Sequence, residues 1–80
     1  MDTYSDTKNR ILFLLEQNRM SIYALSIKSG VSPSTIKSIL YGKSKNPGIV
    51  TIKMLCDGLG ISLYDFFNTE QFQSRELENI

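Results

Sequence analysis

The sequence predicts an all-α protein, with five short helices in the first 68 residues and a short C-terminal extension. Apolar residues recur at the three- and four-residue spacing of amphipathic helices, and no stretch keeps the alternating pattern of a strand for more than a few residues. Capping residues and glycines divide the region into five segments. With 80 residues, 41% of them hydrophobic, the chain is expected to form one domain around one core.

The first two helices are predicted from their end signals. The first runs from Ser5, as its N-cap, to Asn18, and the second runs from Ser21 to Gly30. Glycine readily takes the left-handed conformation that ends a helix. Their inward faces comprise Ile11, Leu14, Leu15, Ala24 and Leu25.

The third helix begins almost where the second ends, because only Val31 separates Gly30 from Ser32. Ser32 is expected to cap it, with Pro33 at the first helical position, where its missing N–H costs nothing. The helix is predicted to continue to Gly42, with Ile36, Ile39 and Leu40 facing inward. Small Ser26 is expected to let the second and third helices approach closely. Two short helices joined by a sharp glycine turn form the unit that places its second helix in the DNA major groove.

A polar loop over residues 43–48, with an Asn-Pro-Gly turn, precedes the fourth helix. That helix is expected to end near Gly58 to Gly60. Ser62 is predicted to cap the fifth helix, with Asp65 three residues later in capping-box style. The predicted inward residues of both helices are Ile49, Ile52, Leu55, Cys56, Leu59, Phe66 and Phe67.

Composition argues against several classes of function. The longest apolar run, Ile11 to Leu15, is too short for a membrane span or a signal core, so a cytoplasmic location is expected. One cysteine and no histidine leave no usual zinc site, and we expect no metal, no cofactor and no enzyme activity. Cys56 is interpreted as a small core residue, with a redox role as the alternative.

The net charge of +1 conceals an uneven distribution. Residues 21–47 contain four lysines and no acid, whereas residues 69–80, predicted as an acidic tail that is helical or disordered, contain one arginine and three glutamates. A basic middle segment supports nucleic-acid binding.

These features together resemble a known family. Residues 30–47, GVSPSTIKSILYGKSKNP, and the later segment Ser62 to Phe66 look like the phage-repressor and Cro-type (XRE-like) regulators over about residues 9–67. The resemblance implies a five-helix, lambda-repressor-like DNA-binding domain over residues 1–68. It also implies an operator in double-stranded DNA and a homodimer on that DNA. Such a regulator would act as a repressor by blocking polymerase, with recruitment of polymerase through an exposed face as the alternative.

The outward face of the third helix supplies the predicted base-reading residues. Lys37 is the best donor to guanine O6 and N7, and the Ser34 and Ser38 hydroxyls can donate or accept. Family members often carry glutamine where this chain has Ile22 and Pro33. Pro33 can therefore offer only apolar contact, for instance to a thymine methyl group, and the operator cannot be deduced. A merely solvated helix face is the alternative.

Predicted phosphate contacts come from helix starts and from the basic loop, because free backbone N–H groups and lysines attract anions. They are Ser21, Ile22, Tyr23, Thr35, Tyr41, Lys43, Lys45 and Asn46. Tyr41 packing over the loop, and lysines serving only solubility, remain alternatives.

Five consecutive apolar residues in the first helix cannot all face the core. Leu12 and Phe13 are expected to be exposed, and Met54 similarly. They are either covered by the C-terminal segment through Phe72, Leu77 and Ile80, covered by a partner subunit, or simply exposed. The alternative function is therefore that of an antitoxin-like module, which binds a protein partner through the first helix or the tail.

Overall fold

The computed structural model describes residues 2–74, which form six helices and contain no strand. They are α1 (Thr3–Gln17), α2 (Ile22–Ser29), α3 (Pro33–Leu40), α4 (Ile49–Leu59), α5 (Leu63–Phe67) and α6 (Glu70–Ser74). The all-α class is therefore confirmed, and α6 lies within the predicted tail. Leu77 and Ile80 lie outside the described residues.

The helices enclose one core in which α2 packs chiefly against α3 and α4, and α1 packs against α3 and α6. The buried apolar residues are Ile11, Leu14, Leu15, Leu25, Val31, Ile36, Ile39, Leu40, Ile52, Leu55, Cys56, Leu59 and Phe66. Within the described residues, every buried side-chain nitrogen and oxygen has a hydrogen-bond partner. The interior therefore combines apolar packing with satisfied polar groups.

The predicted start of α1 was wrong. Asp2, not Ser5, is the N-cap, and its carboxylate accepts a hydrogen bond from the Ser5 backbone N–H at 2.9 Å. A carboxylate at this position also interacts favourably with the helix dipole. Ser5 therefore lies inside the first turn, and α1 gains an extra stretch that brings Tyr4 into the fold.

One prediction for α4 is confirmed and another needs correction. As predicted, the helix ends in the region Gly58 to Gly60: its last residue is Leu59 and its left-handed C-cap is Gly60 at φ +73°, while Gly58 is buried in the last turn. A Cβ on Gly58 would lie only 2.8 Å from the Ser29 Cβ, so α4 approaches α2 closely at Gly58. Ile49 was expected to face inward but is 63% exposed, because it starts the helix beside the open loop.

The apolar surface of α1 agrees with expectation. Leu12 and Phe13 are 44% and 50% exposed. Met54, in contrast, is half-buried against the core rather than stranded on the surface. Phe72 of α6 packs edge-on against Phe67, with ring centroids 4.9 Å apart, so α6 covers part of the bundle beside α1.

No helix among the described residues is both long and apolar enough to span a bilayer.

Candidate nucleic-acid interface

The turn between α2 and α3 is fixed by local hydrogen bonds. Ser21 caps α2, its Oγ accepting from the Ala24 N–H at 3.0 Å. Gly30 ends α2 in the left-handed region, at φ +76°. The buried Ser29 Oγ then accepts from the Val31 N–H at 3.1 Å, which holds the chain as it reverses. These bonds set the direction in which the chain enters α3 from α2.

The start of α3 has the predicted cap. The Ser32 Oγ accepts from the Thr35 N–H at 3.1 Å and lies 2.9 Å from the Thr35 Oγ1, to which it donates. Pro33 occupies the first turn. The Thr35 hydroxyl proton is not used in this contact and remains available to an acceptor such as a phosphate oxygen.

The faces of α3 are sharply divided between core and solvent. Ile36, Ile39 and Leu40 are at most 5% exposed. The four predicted base-reading residues lie on the accessible side: Ser34 and Lys37 are exposed, and Pro33 and Ser38 are half-buried. All four therefore lie on the side of α3 that is opposite its buried face.

The predicted phosphate contacts are almost all exposed: Ser21, Tyr23, Thr35, Tyr41, Lys43, Lys45 and Asn46. Ile22 is the exception, because its side chain is half-buried against the core. It can contribute only its backbone N–H, which, like that of Tyr23, has no acceptor within the helix. Tyr41 is 69% exposed, so the loop leaves most of its side chain open to solvent.

The segment that contains α2 and α3 is positively charged. Residues 17–56 contain six lysine or arginine side chains and no aspartate or glutamate. Lys53 forms an ion pair with Asp57, one turn along α4. Lys37, Lys43 and Lys45, on α3 and its following loop, therefore belong to a stretch of sequence without acidic residues, which favours attraction of a polyanion. In the structure, Asp2 lines a groove together with Lys45.

Sequence reasoning missed two side chains that tie α1 to the rest of the bundle. The Tyr4 hydroxyl donates to the Ile39 carbonyl oxygen of α3 at 2.7 Å. Arg10 donates from Nε to the Phe66 carbonyl at 2.8 Å and from Nη2 to the Asp65 carbonyl at 2.9 Å. The partners are 35 to 56 positions away in sequence, so no local pattern indicates them.

The remaining chemistry of the described residues is limited. They contain no cluster of three or more histidine, cysteine or acidic side chains placed to hold a metal ion. Cys56 is buried, and this burial, together with the neighbouring Asp57 charge, raises the pKa of its thiol. A protonated buried thiol behaves as a small apolar side chain.

Two short helices joined by a tight glycine turn, the second with a buried apolar face and an exposed polar face, define a helix-turn-helix DNA-binding domain. The chain matches the Cro/C1-type HTH DNA-binding domain over residues 10–71 and belongs to that family. The resemblance inferred from residues 30–47 is therefore confirmed. No curated protein sequence matches this chain.

The fold is also similar to the crystal structure of the prophage Lp1 protein 11. The TM-score is 0.78 at 29% sequence identity, and the match covers 95% of this chain and 97% of that chain. The likeness therefore extends over nearly the whole length of both chains.

Proposed function

We propose that this protein is a transcriptional regulator that inserts α3 into the major groove of a specific operator in double-stranded DNA. The observation that carries the proposal is the exposed polar face of α3, which presents Ser34, Lys37 and Ser38 from a capped helix. Lysine suits guanine O6 and N7, and the serines accept or donate at either kind of base. Pro33 supplies an apolar contact beside them.

Phosphate contacts would surround this reading face. The helix starts at Ser21 to Tyr23 and at Thr35 offer backbone N–H groups and hydroxyls, and Tyr41, Lys43, Lys45 and Asn46 follow on the loop side. Such contacts fix the register of a protein on the duplex without specifying sequence. Binding should therefore weaken as salt rises.

We further propose that two copies bind as a homodimer in the cytoplasm and repress by blocking polymerase. A two-fold symmetric dimer would place two α3 helices in successive major grooves on one side of the duplex. The operator would then be a palindrome whose half-sites lie about 34 Å, one helical turn, apart. A reporter whose promoter overlaps the operator should lose expression when the protein is present.

The testing experiment is selection from a random duplex pool, followed by salt-dependent binding of the selected duplex. Lys37→Ala should relax the preference at one base position of each half-site by about 1 to 3 kcal/mol. Lys43→Ala and Lys45→Ala should instead weaken binding to all duplexes alike. Each should lower the slope of log affinity against log salt concentration by about 1 per subunit.

Lys53→Ala is the matched control, because it also removes one positive charge but lies in an ion pair on α4. It should leave the base preference unchanged. A wild-type protein that selects no sequence, or a Lys37→Ala protein that keeps every preference, would contradict the proposal.

One observation favours a second candidate function, the binding of a protein partner in the manner of an antitoxin. Leu12 and Phe13 are half-exposed on α1, and Phe13 lines a cleft with Phe72 of α6. Phe13→Glu should abolish capture of such a partner while DNA binding persists. If the variant changes only the self-association of the protein, the surface serves the homodimer instead.

A further inference from the structure

Tyr4 joins the first turn of α1 to the C-terminal end of α3. Its hydroxyl donates to the Ile39 carbonyl oxygen at 2.7 Å, across 35 positions of sequence. The last four carbonyl groups of any helix lack intrahelical partners. A tyrosine from another helix therefore satisfies one of the carbonyl groups at the end of α3.

Backbone N–H groups of the turn that follows α3 donate hydrogen bonds to two other carbonyl groups near the end of the helix. The Tyr41 N–H donates to the Lys37 carbonyl at 2.8 Å, and the N–H groups of Lys43 and Ser44 both donate to the Ser38 carbonyl at 2.9 Å. These bonds are local, so they shape the turn but do not fix α3 relative to the bundle. The Tyr4 bond is the one of this group that reaches another helix.

Tyr4 also lies beside the start of the basic loop. A Cβ on Gly42, which has φ +86°, would lie 3.7 Å from the Tyr4 Oη. A groove between α1 and the loop is lined by Tyr4 together with Lys45, Asn46 and Pro47. The Tyr4 side chain therefore lies against both the end of α3 and the segment that carries the proposed phosphate contacts.

We infer that Tyr4 is a positioning residue for DNA recognition: it holds the C-terminal end of α3, and so sets which bases Lys37 and Ser38 meet. The inference rests on the proposed function. α3 has eight residues, about 12 Å of helix, and its first turn is held by the Ser32 cap. When the far end loosens, side chains late in α3 are displaced more than Ser34. Base contacts tolerate displacements of only about 0.5 Å.

The test is Tyr4→Phe, which removes one hydroxyl and keeps the ring. The expected result is about a tenfold smaller ratio between affinities for the selected and an unrelated duplex, with the salt slope unchanged. The loss should fall at the base pairs that lose preference in Lys37→Ala and should spare those read by Ser34. Ser62→Ala is the matched control, because it removes the N-cap of α5, a bond to the Asp65 N–H.

Amide hydrogen exchange without DNA provides an independent readout. In Tyr4→Phe the N–H groups of Tyr41, Lys43 and Ser44 should exchange about ten times faster, while those of α4 keep their rates. In Ser62→Ala the faster exchange should be confined to α5.

Two binding results overturn the inference alone: base preference that survives Tyr4→Phe, or an equal loss of preference in Ser62→Ala. Unchanged exchange at the end of α3 overturns it as well. A wild-type protein that binds every duplex alike refutes the proposed function and this inference together.

Discussion

Replacing Gly58 by alanine is expected to destabilise the bundle, although alanine normally favours a helix. An added Cβ would meet the Ser29 Cβ at 2.8 Å, the Ser29 backbone nitrogen at 2.9 Å and the Leu25 Cδ1 at 3.0 Å. The Ser29 atoms belong to the helix backbone or are attached directly to it, so they cannot rotate away. To admit the methyl group, α2 must move as a whole relative to α4.

The magnitude follows from two opposing effects. Overpacking of a close helix contact costs up to about 3 kcal/mol, and glycine to alanine inside a helix returns about 1 kcal/mol. The expected net loss is about 2 kcal/mol in the free energy of unfolding. For a chain of this size that corresponds to a melting temperature lower by about 8 to 16 °C.

The assay is thermal and urea unfolding followed by far-ultraviolet circular dichroism. Gly48→Ala is the control, because a Cβ on Gly48 meets nothing within 4 Å, and it should cost only about 0.5 kcal/mol. A Gly58→Ala protein as stable as the wild type would show that α2 and α4 do not pack this closely.

Three further changes test other parts of the structure. Arg10→Lys keeps the charge but cannot hold both carbonyl groups of α5, so it should lower the free energy of unfolding by about 1 to 2 kcal/mol in urea titrations; no loss would contradict those bonds. Gly48→Ser should add the side-chain cap that α4 lacks and stabilise the protein by about 0.5 to 1 kcal/mol relative to Gly48→Ala, and equal melting temperatures would argue against that cap position. Burial raises the pKa of the Cys56 thiol above its ordinary 9.0, so above pH 9 the unfolded thiol ionises first and favours unfolding. Stability should therefore fall faster with pH in the wild type than in Cys56→Ala, and parallel pH profiles would contradict a buried, protonated thiol.

Local signals in the sequence predicted much of the fold. The serine caps at Ser21, Ser32 and Ser62 each accept the expected backbone N–H, and Gly30 ends α2 in the left-handed conformation. These features depend on a few adjacent residues, so a short window contains the information. The apolar spacing of α3 likewise identified its buried face, and hence the exposed residues opposite.

The failures have equally physical causes. Asp2 and Ser5 are both good capping residues three positions apart, and only the packing of the extra turn against α3 distinguishes them. The sequence does not show which glycine of the predicted helix end is the C-cap and which is needed for packing, because the close contact of Gly58 is with Ser29 of α2. Tyr4 and Arg10 donate to backbone carbonyls, which carry no sequence signature at all.

The central claim is that Lys37 reads bases from the major groove, and 7-deazapurine substitution tests it most directly. Replacing purine N7 by carbon in the selected duplex removes major-groove acceptors and leaves pairing and the minor groove intact. The affinity of the wild type should fall about tenfold or more on this replacement, whereas the affinity of Lys37→Ala should fall much less. Lys53→Ala should behave as the wild type. Equal affinities of the wild type for the natural and modified duplexes would contradict the claim.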